Sequence, residues 1–316
     1  MTIKNIYIQR LISDADLKTI TGDYLDDGYI IHAITSDVNV YDKDTNQLLV
    51  SFRKRRLKSN NIAWDNLSEL AVAARGRGAA AGPINPHSTY WKKRKLIKTK
   101  KFKTSYLKPD GNPSKMFVSN QVCSTPIGYY EAMKAVGSDL PCRYTYHTAQ
   151  KLKKYQAGIP YIQEVDKWFK KLYPVRHGIN KTRASQRPKY QIENTAFSTI
   201  TINRNFRTGL HKDAGDFGGY AMLSVLERGQ YNGGLFMIPA YGIGIDLREG
   251  DIMCVKVSEY HANTEIWTTP EQDKFNDELP LRFKLDTQVG TLGLEQRYSR
   301  ISFVSYLREK LIRCDK

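Results

Sequence analysis

Cysteine is scarce and scattered in this chain of 316 residues: Cys123, Cys142, Cys254 and Cys314 form no CxxC pair. That spacing excludes a cysteine zinc site and a dense disulfide framework, and leaves four free, mostly buried thiols as the expectation. Such usage fits a reducing compartment. Long apolar runs are missing too, since stretches such as 220–226 fall far short of the roughly 20 residues that cross a bilayer. Residues 1–17 lack the basic start, continuous apolar stretch and small-residue cleavage site of a secretory signal. The expectation is a soluble, intracellular protein of cytoplasm or nucleus, without a membrane partner and taken as a monomer. There is no internal repeat and no low-complexity tail.

Acidic charge is short as well, with 32 Asp and Glu against 49 Lys and Arg, a net charge of +17. Its placement says more than its size. Residues 1–50 carry 4 basic and 8 acidic side chains, residues 51–194 carry 30 and 8, and residues 195–316 carry 15 and 16. A basic field confined to one part of the chain suits a polyanionic partner.

Short β-rich runs at 6–11, 29–35, 38–41 and 48–53, separated by Asp, Gly and Asn clusters, predict a small sheet or hairpins at the front. Residues 64–74 read as a helix that runs into a glycine-rich loop at 75–83. Helical spacing recurs at 145–155 and 162–172, the second burying Val165, Trp168, Phe169 and Leu172. Pro174 then breaks the pattern, and 180–188 reads as a polar, basic connector. From residue 196 the texture changes to strand alternation, at 199–203, 221–226, 234–238, 243–247, 251–257 and 301–307, with turns such as Asn232-Gly233-Gly234. That pattern implies an antiparallel sandwich or jelly roll. The fold class expected is α+β with a mainly β core. Residues 1–60 are read as an N-terminal β-rich extension and 61–316 as a second domain whose β core spans about 191–316.

Within that last part lie His211-Lys212-Asp213, His261 following 48 residues after Asp213, and Arg300 at the head of an alternating run. His211 and Asp213 are two apart, so an extended segment points both side chains the same way. Two imidazoles and one carboxylate can bind one face of an octahedral Fe(II) and leave three positions open. The alternative is a pair of structural histidines with Asp213 in a turn. His32, His87, His147 and His177 lack such surroundings.

The residues 199–216, Gly233-Gly234-Leu235-Phe236, Gly250-Asp251-Ile252-Met253, His261-Ala262-Asn263-Thr264 and Arg300-Ile301-Ser302 together resemble the TET/J-binding-protein family of Fe(II)/2-oxoglutarate dioxygenases. The resemblance covers 195–316 well and the earlier part loosely. It implies a double-stranded β-helix, or jelly roll, with flanking helices. It also implies Fe(II) on His211, Asp213 and His261, with 2-oxoglutarate and O2 as cosubstrates. Arg300 and Ser302, which share a strand face, would take the distal carboxylate of 2-oxoglutarate, a bidentate contact that lysine does not reproduce. Arg207 is a further candidate for cosubstrate binding, with Arg204 and Arg297 open for the same role. Between His261 and Arg300 lie 38 residues, longer than the family leads one to expect, and 267–297 reads as an inserted loop or lid.

The resemblance further implies oxidation of the 5-methyl group of thymine or 5-methylcytosine in DNA. A base inside a duplex has to leave the stack to reach a recessed site. Residues 51–108 hold 16 basic and 2 acidic side chains, clustered at Arg53, Lys54, Arg55, Arg56 and Lys58 and again at Lys92, Lys93, Arg94 and Lys95. Tyr90, Trp91, Phe102 and Tyr106 sit beside the second cluster. Basic residues next to aromatics suit backbone contact with base stacking, and Arg53, Arg55, Arg56 and Lys92 to Lys95 are the candidate DNA contacts. The plainer alternative is a solvated basic face. Competing functions are a hydroxylase or demethylase of RNA or protein, and a non-catalytic DNA-binding protein. A basic protein substrate is disfavoured by repulsion.

Overall fold

The strand alternation has two buried sides to serve, and the chain answers with two facing sheets and a helical layer. The computed structural model describes residues 3–74, 77–84, 94–99, 103–115, 118–135, 138–280 and 298–315. In chain order its principal strands are β1 (Lys4–Ile8), β2 (His32–Ile34), β3 (Val38–Asp42), β4 (Leu48–Arg53), β5 (Val122–Tyr130) and β6 (Thr199–Arg204). They continue with β7 (Ala221–Arg228), β8 (Phe236–Ile238), β9 (Ile243–Ile245), β10 (Ile252–Val255), β11 (Ala262–Asn263) and β12 (Ser299–Tyr306). The large sheet has the order β1-β3-β4-β10-β7-β12-β6-β5 and ends on the short strand Arg143–Tyr144, and the small sheet runs β11-β8-β9-β2. The architecture is a jelly roll with flanking helices. The N-terminal β-rich segment extends both sheets, through β1, β3 and β4 on one and β2 on the other.

Alternation along each strand of the large sheet sends neighbouring side chains to opposite faces. Leu223, Val225, Met253, Val255, Val304 and Tyr306 face the small sheet and pack with Phe236, Met237, Ile238, Ile243 and Ile245. Met222, Leu226, Ile252, Cys254, Ile301 and Phe303 face the other way, under helices α1 (Asn60–Asn66) and α2 (Ile159–Leu172). Burial of one large aliphatic side chain is worth roughly 1.5–3 kcal/mol, so both faces stabilise the sheet. The second face explains why the stretch 220–226, most of β7, reads as a nearly continuous apolar run.

Several helix boundaries differ from the expectation. The helix expected at 64–74 starts four residues earlier, at Asn60, and ends at Asn66, while Ala73 and Ala74 pair with Cys123 and Val122 as a strand. Pro174 begins a helix, α3 (Pro174–Ser185), in place of ending one. Proline is favoured in the first helical turn, where its missing N–H costs no hydrogen bond. The residues read as a connector at 180–188 therefore belong largely to α3.

The cysteines also correct the reading. Cys142 and Cys314 form a disulfide with a Cα–Cα distance of 5.9 Å, while Cys123 and Cys254 are free and buried. The partners are 172 residues apart. Spacing alone gives no sign of such a pair, because the fold brings the segment after Leu140 and the C-terminal turn Glu309–Arg313 together. No helix among the described residues is long and apolar enough to cross a membrane.

Candidate active site

His211 lies on the segment after β6, and its backbone exchanges hydrogen bonds with that of His261, His211 N to His261 O at 3.0 Å and His261 N to His211 O at 2.9 Å. This isolated bridge brings the imidazole ring centroids to 4.3 Å. Asp213 is tied to the same place by its N–H, which donates to Val257 O at 3.1 Å. Lys212, between the two, points away to Asp14 at 2.6 Å, as alternation requires.

The second ring nitrogens set the chemistry. Nδ1 of His211 lies 2.8 Å from Gly209 O and Nδ1 of His261 lies 2.9 Å from Glu259 O. A carbonyl only accepts, so both Nδ1 atoms carry the proton and both Nε2 lone pairs are free. Those Nε2 atoms stand 3.6 and 3.7 Å from the two oxygens of Asp213. The three donor atoms lie within 4.8 Å of one another. Burial and the neighbouring His261 hold the His211 imidazole well below its usual pKa, so it stays neutral. Neutral imidazoles and a carboxylate within that span fit a divalent first-row metal.

The site opens into a cavity of about 440 Å³ between the two sheets. Arg300, Ser302, Val304, Tyr306 and Arg308 line it from one strand and its continuation, every second residue. Arg300 is 8% exposed. Its N–H donates to Asn205 Oδ1 at 2.7 Å and its carbonyl accepts from Asn205 N at 2.8 Å. Asn205 has φ of 45°, a left-handed conformation that asparagine tolerates better than most residues. Beside Arg300, Gly234 has φ of 70°, and a Cβ there would lie 3.3 Å from Arg300 Nε. The Gly233-Gly234 turn thus leaves room for the guanidinium. Ser302 Oγ accepts from Asn203 Nδ2 at 3.3 Å, and Ser124 Oγ donates to Asn203 Oδ1 at 2.5 Å, a polar chain across β12, β6 and β5.

Sequence reasoning missed several groups on this cavity. Arg77 donates through Nε to Ser124 O at 3.2 Å, while its buried Nη2 has no hydrogen-bond partner. At the end away from Arg300 stand Asp216, Tyr306, Thr201 and Arg308. Burial, reinforced by the Asp213 carboxylate and opposed by Arg308, pushes Asp216 well above the usual carboxyl range. Arg308 is held by Glu131, with Nη2 to Oε1 at 2.7 Å. The signal for Tyr306 and Arg308 was present: the period-2 count from Arg300 continues through both. Arg77 and Asp216 sit on loops, where no periodicity marks a face.

Two predicted site residues are placed elsewhere. Arg207 pairs with Glu265 at 2.9 Å and stacks on Tyr24 with its guanidinium carbon 4.5 Å from the ring, outside the cavity lining. Arg204 is buried and its charge interacts with Cys123, also outside the lining. Arg207→Ala is therefore expected to leave the KM for 2-oxoglutarate within about twofold of wild type, since a part-exposed ion pair is worth at most about 1 kcal/mol. A tenfold rise in that constant would return Arg207 to the cosubstrate contacts.

The candidate nucleic-acid residues separate. Arg53 is 6% exposed, and its guanidinium is consumed by Val38 O, Phe52 O and Asn39 Oδ1 at 2.7 to 2.9 Å. That satisfied, buried group is a structural one, which corrects its assignment as a DNA contact. Arg55 and Arg56 are exposed, and Arg56 pairs with Asp37. Arg94 and Lys95 are exposed at the base of the hairpin Leu96–Thr99 and Lys103–Tyr106, with Arg94 4.4 Å from the Tyr106 ring centroid. Thr104 bridges to Val118, and Asn120 donates to Ala81 O at 2.8 Å, which ties the hairpin to the Arg77–Ala80 rim of the cavity. Lys92, Lys93, Tyr90, Trp91, Phe102 and Arg297 lie outside the described residues. The stretch after His261 forms the strand Ile266–Trp267 and the helix Pro270–Asp277, started by a capping box of Thr269 and Gln272, and residues 281–297 lie outside the described residues.

Comparison with known proteins bears on this geometry. The profile Tet_JBP, described as the oxygenase domain of the 2OGFeDO superfamily, matches residues 125–309. The bifunctional helicase and thymine dioxygenase JBP2 of Leishmania infantum is 33% identical over 141 residues, 44% of this chain and 12% of the relative. The thymine dioxygenase JBP1-B of Trypanosoma cruzi (strain CL Brener) is 31% identical over 153 residues, 48% of this chain and 18% of the relative. The matched segments thus span 12% and 18% of those relatives' own lengths. A solved structure of NgTET1 in complex with 5mC DNA aligns over 95% of this chain and 92% of that one at 11% identity, with a TM-score of 0.47.

Proposed function

The chain belongs to the Tet_JBP family of 2-oxoglutarate and iron oxygenase domains, and from that membership we propose that it hydroxylates the 5-methyl group of a pyrimidine in DNA. Thymine, giving 5-hydroxymethyluracil, is the first choice because the two relatives compared above are named thymine dioxygenases. 5-Methylcytosine presents the same methyl group. The observation that carries the reading is the His211, Asp213 and His261 donor cluster opening into the same cavity as Arg300.

His211 and His261 would hold iron through Nε2, with Asp213 as the carboxylate donor. Ferrous iron bound there, with 2-oxoglutarate and O2, supplies the oxidation of an unactivated C–H bond as 2-oxoglutarate leaves as succinate and CO2. The chain's own groups set what reaches the site. Arg300 offers a planar fork to the distal carboxylate of 2-oxoglutarate, with Ser302 beside it. Arg77 brings a third guanidinium to the cavity, beside Arg300 and Arg308, and an anion would complete its unpartnered nitrogen. Asp216, Tyr306 and Thr201 present hydrogen-bonding groups at the other end, where a flipped base would show its polar edge. With its pKa raised, Asp216 in its protonated form would donate a hydrogen bond to a carbonyl such as O4 of thymine. Arg94 and Lys95, near the rim, suit the phosphates flanking such a base.

The test is nucleoside mass spectrometry of DNA holding both thymine and 5-methylcytosine after incubation with the iron-loaded protein and 2-oxoglutarate. The expected result is a new hydroxymethylated nucleoside, which also names the base. Unmodified DNA alongside succinate release would move the substrate to RNA or protein.

A further inference from the structure

Behind the large sheet, on the side away from the cavity, a second groove of about 570 Å³ runs between α1 and α2. Arg56, Lys58, Lys167 and Lys171 line it, together with Trp168 and Glu164. Glu164, Lys167, Trp168 and Lys171 stand at i, i+3, i+4 and i+7 on α2, so they form one face of that helix. The opposite face of α2, with Ile162, Val165 and Phe169, shares one apolar cluster with Ile301 and Phe303 of β12, and the Tyr161 ring of that helix lies 5.3 Å from the Phe303 ring. Arg300, Ser302 and Val304 of the same strand face the cavity, so a sheet and a helix roughly 10 Å across separate groove from site.

Basic charge is in excess in this groove. Glu164 is its one acid, and that carboxylate is already used by Lys58 N at 3.0 Å, by Ser59 N at 2.9 Å and by Ser59 Oγ. Arg56 is paired with Asp37. Lys58, Lys167 and Lys171 are exposed and, among the described residues, have no carboxylate within ion-pair distance. Lys171 Nζ lies 4.4 Å from the Trp168 ring centroid, beside a half-buried indole that offers a flat surface. Arg55 is exposed next to the groove, with φ of 51°.

We propose that this groove is a second docking site for the nucleic-acid phosphate backbone, separate from the catalytic mouth. Spaced point charges beside an aromatic face suit phosphodiesters. A lipid surface fits less well, because none of the exposed large hydrophobic side chains among the described residues lines the groove, Val175 and Ile179 standing outside it on α3. The inference draws on the proposed function only for the presence of DNA. It follows that a duplex long enough to leave the mouth and reach the back of the sheet is held more tightly than a short one.

The test uses the triple variant Lys58→Gln, Lys167→Gln, Lys171→Gln in the full chain, with a control of equal charge loss, Lys18→Gln, Lys43→Gln, Lys310→Gln. Binding to a duplex of about 60 base pairs is followed by fluorescence anisotropy across salt concentration. The groove variant is expected to bind roughly tenfold more weakly, with a salt slope shallower by about 0.9 for each lysine that contacts phosphate. The control variant should bind as wild type does, and the KM for turnover of a duplex of about 12 base pairs should be unchanged in both, since reaction engages the mouth alone. Wild-type affinity and slope in the groove variant, or an equal loss in the control, would overturn the proposal. So would binding of phosphatidylserine vesicles that the groove lysines alone support while duplex binding stays intact. If no DNA base is hydroxylated yet the groove variant still loses long-duplex affinity, the function proposed above fails and the groove stands.

Discussion

Asp213→Ala is expected to remove bound iron and turnover together while leaving the fold and duplex affinity in place. Asp213 supplies the only carboxylate in the donor cluster, 3.6 and 3.7 Å from the two Nε2 atoms. Without it two neutral imidazoles remain, a set with no anionic charge to offset a divalent cation. Losing an outer-shell hydrogen bond to a ligand typically costs about 10–100-fold in metal affinity or activity, so losing a donor atom should cost more than about 100-fold. Iron per chain, measured by metal analysis after gel filtration, and succinate release report the two losses. Circular dichroism should be unchanged, because the Asp213 side chain supports no strand and its N–H to Val257 O bond survives the substitution. Retention of more than about a tenth of wild-type turnover would take Asp213 out of the donor set.

Arg300→Lys is expected to raise the KM for 2-oxoglutarate by about 10–100-fold with iron content unchanged. A charge-assisted hydrogen bond contributes about 1.5–3 kcal/mol, and each 1.36 kcal/mol is a factor of ten. Lysine keeps the charge and loses the planar fork that meets both carboxylate oxygens. The position is prepared for a guanidinium, with Asn205 clamping the backbone of Arg300 and Gly234 leaving space at its side. A KM equal to wild type, read from initial rates against 2-oxoglutarate concentration, would assign the cosubstrate carboxylate to another group on the cavity, Arg77 first.

The donor cluster and the alternation of β12 were legible in the sequence because both rest on short-range geometry. Two residues apart on an extended segment means one face, and the count from Arg300 to Ser302 runs along one strand. What pulled His261 to His211 was not legible, since a two-residue backbone bridge across 50 positions leaves no local pattern. Arg53 misled for a related reason: its neighbours Lys54, Arg55 and Arg56 are charged and exposed or part-exposed, yet β4 turns Arg53 onto a satisfied, buried position. Arg207 stands four residues before His211 in the chain, yet Glu265 and Tyr24, distant in sequence, decide where it points. Pro174 shows the limit of punctuation, because the residue read as a break is the first residue of the next helix.

The central claim is that the metal cluster and Arg300 serve one cavity that oxidises a methyl group on a DNA base. Succinate and hydroxymethylated nucleoside quantified in the same reaction test it most directly. The account predicts one succinate for each hydroxymethyl group formed, with both products absent in Asp213→Ala. Succinate formed at the same rate with and without DNA, and no hydroxymethylated base, would contradict it.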